Sequence, residues 1–291
     1  MSTPLPPPLK RFGQNFLIDH NIVRKIVDLA AIRPDETVLE IGPGRGILTR
    51  ALCVKARRVI AIEIDRQLAQ ALAEHQREHQ APIDAGSALN HLPLTAACPN
   101  LDLRIGDALE FDYGTLPPGT VVVANLPYYV STALLFTLLE SSRLIDRLIL
   151  MLQTEVAQRL AARPGSKEYG ALSVLTQYRA AVTLAFRVSP HCFRPRPTVG
   201  SSVVHLRMKT TGLLDARNEQ CFVQVVRAAF AHRRKTVLNS LRDEGYAADL
   251  MAAALATCGI APDRRAETLS LEDYVALSAA LTDTRTLSSD L

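Results

Sequence analysis

The chain has 291 residues, 48% of them hydrophobic, and a formal net charge of +4 at pH 7, which predicts one large globular domain with a smaller second one. No uninterrupted apolar stretch approaches the roughly 20 residues that span a bilayer, and the proline-rich residues 1–9 contain no apolar core of signal-peptide length. These features argue against a membrane or secreted protein and predict a cytoplasmic one. Because the charge is only mildly basic, a nucleic-acid partner has to be judged from where the basic residues lie.

The cysteines are scattered through the chain without a close pair. Such spacing argues against a zinc site or a disulfide framework and fits a reducing compartment, so no metal is predicted. The five positions are Cys53, Cys98, Cys192, Cys221 and Cys258.

The first segment with a clear pattern is residues 10–17, KRFGQNFL, which mixes basic, aromatic and amide side chains. It precedes Asp19, which is predicted to cap an amphipathic helix over residues 21–31. The segment can form a flap over a ligand site, or its apolar side chains can simply pack the arm against the domain.

A strand, a glycine turn and a helix follow. Residues 37–41 predict a buried strand, Gly42-Pro43-Gly44-Arg45-Gly46 a tight turn and residues 47–56 a helix. Glycines let the backbone approach a ligand closely, and the free amides at a helix start favour polar or anionic groups. The spacing is Gly-x-Gly-x-Gly, however, with Ile47 where a dinucleotide fingerprint has Gly or Ala, which disfavours an NAD-dependent dehydrogenase.

Two more predicted strands end at carboxylates. Residues 58–62 lead to Glu63, about 20 residues beyond the glycines, where a carboxylate binds ribose hydroxyls. Residues 101–105 lead to Asp107, which can accept a hydrogen bond from the amine of an adenine or merely cap a turn. A nucleoside-type ligand is favoured over a purely structural glycine turn.

The chain is organised around Asn125-Leu126-Pro127-Tyr128, which follows the apolar run 120–124 at the carboxyl end of a predicted strand. An amide, a backbone carbonyl and an aromatic ring suit a planar base, because the two acceptors take the protons of an exocyclic amine while the ring stacks. An enzyme that acts on an adenine amino group is one interpretation. A strand followed by a proline-containing turn is the other.

The other elements predict a mostly parallel sheet that ends in an antiparallel strand pair. They are helices over 68–80, 133–140, 153–162 and 169–179, an inserted surface loop over 81–100, and strands over 144–152, 182–188 and 203–208. From Asp215 the pattern is wholly helical, with helices over 218–231, 235–242, 247–258 and 271–281 and a loose tail over 286–291. We therefore expect a catalytic domain over 1–209 and a small helical domain over 210–291.

Two segments carry clustered positive charge. Residues 169–214 contain six Arg or Lys and no Asp or Glu, and the loop within them offers Phe193, Arg194 and Arg196. A second cluster is Arg233-Arg234-Lys235 in the helical part. Either cluster can hold a polyanion or can be an ordinary solvated face, and cations at a helix end also complement the helix dipole.

Taken together, these segments resemble the ribosomal RNA adenine dimethyltransferase family, in family order and over nearly the whole chain. The stretches are KRFGQNFL from Lys10, EIGPGRG from Glu40, EID from Glu63, GDAL from Gly106, NLPYYVST from Asn125, FRPRPTVGSS from Phe193 and AFAHRRKT from Ala229. The resemblance implies an α/β fold of the class I, Rossmann-like methyltransferases with a small all-α C-terminal domain. It also implies S-adenosylmethionine as cofactor, and dimethylation of two adjacent adenosines near the 3′ end of small-subunit rRNA by a monomeric enzyme. Two departures are the long loop 81–100 and Tyr129-Val130, where the bacterial pattern often has Asn-Ile.

The resemblance also assigns roles to individual residues. The implied cofactor contacts are Asn15, Leu17, Gly42, Glu63, Asp107 and Asn125. In the expected mechanism the adenosine is clamped between Tyr128 and Phe193, and its N6 hydrogens go to the side chain of Asn125 and the carbonyl of Leu126. Arg194, Arg196, Arg233, Arg234 and Lys235 are expected to contact RNA.

Two rival functions share much of this pattern. A DNA adenine methyltransferase would have the same cofactor site and base clamp, although the Asn-Leu-Pro-Tyr form and the basic helical part favour RNA. A non-catalytic ribosome-assembly factor on the same fold would be expected to have lost Glu63, Asp107 or Asn125, and all three are present.

Overall fold

The computed structural model describes residues 6–9, 12–74, 98–210 and 214–289. Predictions for Lys10, Arg11, the end of the second helix (75–80) and loop residues 81–97 lie outside this part of the chain. Within it, no helix is long and apolar enough to cross a membrane.

Seven strands form one sheet in the order β4-β3-β2-β5-β6-β9-β7. Neighbours from β4 to β6 pair in parallel, whereas β9 runs antiparallel to β6. The strands are β1 (Phe16–Leu17), β2 (Thr37–Ile41), β3 (Arg58–Glu63), β4 (Leu101–Ile105), β5 (Thr120–Asn125), β6 (Ile145–Gln153), β7 (Ala180–Val188), β8 (Phe193–Arg194) and β9 (Ser201–Met208). The predicted mostly parallel sheet with an antiparallel strand is confirmed.

The helices of the described chain follow the predicted pattern to within a few residues, except the last, which was predicted to end at 281 and continues to Ser289. They are α1 (His20–Ala30), α2 (Ile47–Lys55), α3 (Arg66–Glu74), α4 (Ser131–Glu140), α5 (Thr154–Leu160), α6 (Ala171–Arg179), α7 (Ala216–Ala231), α8 (Val237–Asp243), α9 (Ala248–Thr257) and α10 (Leu271–Ser289). Asp19 caps α1 as predicted, because its side chain accepts from the N–H groups of Asn21 and Ile22. The loose tail predicted over 286–291 is wrong at its start, since α10 continues to Ser289.

The central strands are apolar because both faces of a parallel sheet are covered. Val38, Val121 and Val123 are fully buried and belong to one hydrophobic cluster with residues of α1 and α2. On β6, the buried Arg147 bonds to Glu36 and to the carbonyls at the end of α1. These hydrogen bonds join the carboxyl end of α1 to the sheet.

The chain folds into two compact units. Unit 1 comprises Met1–Ala157 with Thr183–Met208, and unit 2 comprises Gln158–Val182 with Lys209–Leu291. The predicted boundary at residue 209 is one end of unit 2, but residues 158–182 belong with the C-terminal helices. The reason is packing: α6 carries Tyr178, whose ring centroid lies 4.5 Å from that of Phe222 on α7.

Candidate active site

The carboxyl ends of β4, β3, β2 and β5 lie side by side, and each carries one of the predicted site residues. Asp107 follows β4, Glu63 ends β3, Gly42 follows β2 and Asn125 ends β5. The end of a parallel sheet is where ligands bind in open α/β folds, and all four residues line one cavity there. Four more predicted residues line the same cavity: Asn15, Leu17, Leu126 and Tyr128.

The glycine turn between β2 and α2 forms the floor of the cavity. Gly44 has a φ of 57°, a conformation that side chains rarely adopt. A Cβ on Gly44 would also lie only 3.0 Å from Cδ1 of Phe16. This position therefore requires glycine for its backbone conformation and for its close approach to the ring.

Glu63 is held in place by backbone donors. Its Oε1 accepts from the N–H of Asp65 at 3.0 Å and its Oε2 from the N–H of Gly44 at 3.3 Å. The side chain is 4% exposed, and this burial raises its pKa to about 7 although the backbone hydrogen bonds oppose the shift. A fixed carboxylate at the cavity wall is suited to accept hydrogen bonds from ribose hydroxyls.

The side-chain amide of Asn125 is oriented by a residue distant in sequence. Its Nδ2 donates to the backbone oxygen of Asn15 at 3.2 Å. With the nitrogen used in this way, Oδ1 is the atom that can accept a hydrogen bond from a ligand. The next peptide is also fixed, because the N–H of Leu126 donates to the oxygen of Met151 at 3.2 Å.

Tyr128 lies in a turn in which the N–H of Val130 donates to the oxygen of Pro127 at 3.2 Å. The hydroxyls of Tyr128 and Ser201 are hydrogen-bonded at 2.7 Å, and burial raises the pKa of the phenol. The ring is thus half-buried and held at its far end, as a stacking platform for a base requires.

Residues 12–17, which we call the flap, line the cavity. Gln14 joins the flap to the sheet, because its Nε2 donates to Asp65 at 3.0 Å while its Oε1 accepts from the N–H of Leu9 at 2.7 Å. The end of the flap is β1, which pairs antiparallel with β8. Both sequence interpretations of this segment hold, since Phe16 and Leu17 are buried in hydrophobic clusters while the segment as a whole lines the cavity.

Phe193 is placed differently from the expected base clamp. Its ring is 2% exposed and packs in the hydrophobic cluster that contains Leu17 and Val23. It presents no open face to a base here, so the structure does not bring Tyr128 and Phe193 together as two sides of a clamp. Instead β8, which contains Phe193, pairs with the end of the flap. A two-residue strand has no periodicity, so this pairing left no signal in the sequence.

The predicted RNA-binding residues differ in their surroundings. Arg194 and Arg196 are exposed in unit 1, and Arg233 and Arg234 are exposed in unit 2. Lys235, in contrast, forms an ion pair with Asp243. Its charge is therefore partly compensated within unit 2, which leaves the two arginines as the stronger candidates for phosphate contacts.

Comparison with known proteins identifies the family. Residues 9–283 match the family model described as ribosomal RNA adenine dimethylase. The chain belongs to this family.

Similar proteins agree with this assignment. The Moorella thermoacetica protein named ribosomal RNA small subunit methyltransferase A is 44% identical over 285 residues, which cover 94% of this chain and 92% of that protein. A crystal structure of a dimethyladenosine transferase from Plasmodium falciparum has a TM-score of 0.74 at 25% identity and covers 93% of this chain and 98% of that one. The structure of the 23S rRNA methyltransferase ErmE has a TM-score of 0.69 at 26% identity, with coverage of 92% and 100%.

Membership of the adenine dimethylase family confirms the predicted fold class, enzyme class and cofactor. The protein is a Rossmann-like rRNA adenine methyltransferase that uses S-adenosylmethionine. If S-adenosylmethionine binds in the cavity at the ends of β2 to β5, the residues that line this cavity must match its chemical groups.

Glu40 fits such a ligand. It lies in β2, is 1% exposed and lines the cavity. Burial raises its pKa to about 8, and the neighbouring charge of Glu63 adds to the shift. Within the described residues its Oε2 has no hydrogen-bond partner. A buried carboxyl with an unpaired oxygen is suited to a hydrogen bond with a polar group of a ligand, and S-adenosylmethionine has both an ammonium group and ribose hydroxyls.

The end of the cavity near β3 and β4 fits the adenine ring. Ile64 and Leu109 line it and are 37% and 39% exposed, so two large apolar side chains present open surface at this end. Asp107 lies between the strand and Leu109, whose N–H donates to its Oδ1 at 2.8 Å. It therefore caps the turn and also lines the cavity, so both predicted roles are compatible with the structure.

Several cavity residues of this dimethylase were not predicted from the sequence: Phe12, Gln14, Glu40, Ile64, Leu109 and Tyr129. Glu40 could have been found, because a carboxylate inside an otherwise apolar strand is unfavourable to bury unless it binds a partner or a ligand. Ile64 and Leu109 closely follow predicted ligands. Tyr129 stood out only as a departure from the family pattern.

Proposed function

We propose that this enzyme transfers methyl groups to N6 of two adjacent adenosines near the 3′ end of small-subunit rRNA, giving N6,N6-dimethyladenosine. The observation that carries the proposal is Asn125, whose Nδ2 is used by the flap and whose Oδ1 is left to accept at the edge of the cavity. The small-subunit substrate is supported by the name of the relative that is 44% identical over almost the whole chain.

An adenine amine is a poor nucleophile because its lone pair is delocalised into the ring. S-Adenosylmethionine, when bound, supplies a methyl group on a sulfonium and is already a strong electrophile. The chain therefore has to align the amine and redirect its lone pair. In our proposal Oδ1 of Asn125 and the carbonyl of Leu126 accept the two N6 hydrogens, which favours a more tetrahedral nitrogen. The same dipoles stabilise the positive charge that develops on it.

Tyr128 holds the base in this proposal. Its ring stacks on the adenine, and the hydrogen bond to Ser201 fixes the position of the hydroxyl end as the base enters. Phe193 supports the flap through β8. After the first transfer the nitrogen has one hydrogen left, and in this proposal Leu126, which replaces the proline of Asp-Pro-Pro-Tyr enzymes that add one methyl group, helps to accommodate the second transfer.

The RNA backbone is held by exposed arginines in each unit. Phosphate contacts need accessible cations, and Arg194, Arg196, Arg233 and Arg234 are all exposed. Unit 2 is then the RNA-binding domain of the enzyme, and the small ribosomal subunit is its partner. We further propose that the enzyme acts as a monomer in the cytoplasm.

Neither rival function explains the site as well. A DNA adenine methyltransferase would share the cavity but not the family to which the chain belongs. A non-catalytic assembly factor would have no need of Glu63, Asp107 and Asn125 together at one cavity.

The test is to locate the methyl group. The protein is incubated with methyl-labelled S-adenosylmethionine and, separately, with undermethylated small subunits, large subunits and duplex DNA. We expect label only in small-subunit rRNA, as dimethyladenosine at two neighbouring positions, and almost none with Asn125→Ala. Label in the large-subunit rRNA or in DNA, or a single methyl group per adenosine, contradicts the proposal.

A further inference from the structure

Two adjacent tyrosines in the turn after β5 have different surroundings. Tyr128 is half-buried and hydrogen-bonded to Ser201 on β9. Tyr129 is 61% exposed, the highest exposure among the large apolar and aromatic side chains described on the cavity. A large aromatic ring exposed at the edge of a ligand cavity is typical of a contact that is completed when the ligand binds.

The position of Tyr129 is defined by the flap on one side. A Cβ built on Gly13 would lie 3.4 Å from Cδ1 and 3.9 Å from Cε1 of the Tyr129 ring. The ring edge therefore packs against the backbone of Gly13. Since the flap is also joined to Asp65 through Gln14, the ring and the flap form one edge of the cavity.

The Tyr129 ring lines the same cavity as Asp107 and Glu63. Asp107 and Glu63 both contribute to the raised pKa of the Tyr129 phenol, after burial as the first cause. Glu63 ends β3 and Asp107 follows β4, so the ring shares the cavity with these two strand ends. At those strand ends Glu63 can accept hydrogen bonds from a ribose, and Ile64 and Leu109 offer apolar surface to an adenine ring.

We propose that Tyr129 is a further cofactor-binding residue, whose ring covers the adenosine part of S-adenosylmethionine where the flap meets the ends of β3 and β4. The adjacent tyrosines then divide the work: Tyr128 contacts the base that is methylated, and Tyr129 contacts the methyl donor. This inference rests on the cofactor and the fold, so it does not depend on which RNA is the substrate.

Binding measurements without RNA test the assignment. The probes are S-adenosylhomocysteine and 5′-methylthioadenosine, which keeps the adenosine part but lacks the amino acid. Tyr129→Ala should weaken both by the same factor, about three- to tenfold, as expected when one aromatic contact is removed. Tyr129→Phe should bind both probes almost as the wild type does. Because the side chain is exposed, neither change should affect folding, which a thermal melt without ligand checks.

Tyr128→Ala is the matched control one residue away. It should leave the affinity for both probes unchanged while it slows methyl transfer, the reverse of the pattern expected at position 129. Wild-type affinity of Tyr129→Ala for both probes overturns the proposal. Weaker binding of S-adenosylhomocysteine alone also overturns it, because the ring would then contact the amino-acid part.

A spectroscopic measurement separates contact from indirect support. The chain has seven tyrosines and no tryptophan, so its intrinsic emission comes from tyrosine. Adding S-adenosylhomocysteine should change this emission in the wild type and in Tyr128→Phe, and the change should be much smaller in Tyr129→Phe although that variant still binds. An undiminished change in Tyr129→Phe counts against a direct contact.

Discussion

The two halves of the active site are built in different ways. In the cofactor half, Glu63 accepts from the N–H of Asp65 and Asp107 from that of Leu109, in each case two residues along the chain. In the substrate half, Asn125 bonds to Asn15 across 110 residues and Tyr128 to Ser201 across 73. Glu63 and Asp107 are therefore each held by a bond within their own turn, with Gly44 as a further donor to Glu63, whereas the groups that meet the base are held by contacts between distant segments.

This difference has a functional meaning. A carboxylate held by its own turn keeps its position whether or not the rest of the chain moves. The orientation of Asn125 depends on the flap, and the flap in turn pairs with β8. The substrate half can therefore respond to changes in the flap and in the loop around β8, whereas Glu63 and Asp107 keep the hydrogen bonds within their own turns. Four predictions test this contrast.

The largest effect is expected at Asn125. Replacing it with alanine should slow methyl transfer by about 100- to 1,000-fold, because hydrogen bonds that stabilise the transition state are removed. Affinity for the small subunit should hardly change. Single-turnover rates and filter binding measure the two quantities. Asn125→Asp is the control, since it keeps an acceptor but loses the donor to Asn15, and it should retain more activity than alanine.

The second prediction concerns Glu40, a buried carboxyl in the cofactor half of the site. Burial raises its pKa to about 8 from 4.5, so folding favours its protonated form. Below about pH 4.5 the carboxyl is protonated in both the folded and the unfolded state, so the pKa shift does not change stability, and stability is lost as the pH rises from there towards 8. Between pH 5 and 9 the wild type without ligand should therefore lose about 2–4 kcal/mol of unfolding free energy relative to Glu40→Gln. Urea titrations of both proteins at each pH measure this. Parallel pH profiles would contradict the prediction, and any constant cost of the substitution cancels.

Glu63→Ala should weaken S-adenosylmethionine binding by about 1–3 kcal/mol, the range for a hydrogen bond to a charged group. Because burial raises the pKa of Glu63 to about 7, the accepting, ionised form becomes populated as the pH rises through 7. The affinity of the wild type for S-adenosylmethionine should therefore rise with pH over the same interval. In Glu63→Gln, which cannot ionise at this position, this rise should be absent. Calorimetry between about pH 6 and 8 gives both results, and an unchanged affinity in Glu63→Ala would remove the residue from the site.

The smallest effect is expected in unit 2. Replacing Arg233 and Arg234 by alanine should weaken binding to the small subunit and lower the log-log salt slope by up to about one unit for each phosphate interaction removed. Lys235→Ala should change the slope less, because Lys235 pairs with Asp243. Cofactor affinity should stay constant in both the double variant and Lys235→Ala. A wild-type slope in the double variant would mean that these arginines do not contact RNA.

The fold could be predicted from the sequence because its signals are local. The runs 37–41 and 101–105 are strands as predicted, and the glycines after the first of them form the expected turn. The helical part was also evident from its periodicity. What could not be predicted were β1 and β8, which have two residues each, and the association of residues 158–182 with the C-terminal helices.

The same limit applies to the site. The order of residues along the chain determined that Gly42, Glu63, Asp107 and Asn125 would meet, since they lie at the ends of adjacent parallel strands. Only the tertiary structure decided that Phe193 is buried, that Tyr129 packs against Gly13, and that Asn15 uses the nitrogen of Asn125. The physical reason is the sequence distance over which the interactions act. Strand ends and turns are determined by neighbouring residues, whereas the orientation of a side chain depends on segments that approach it only when the chain has folded.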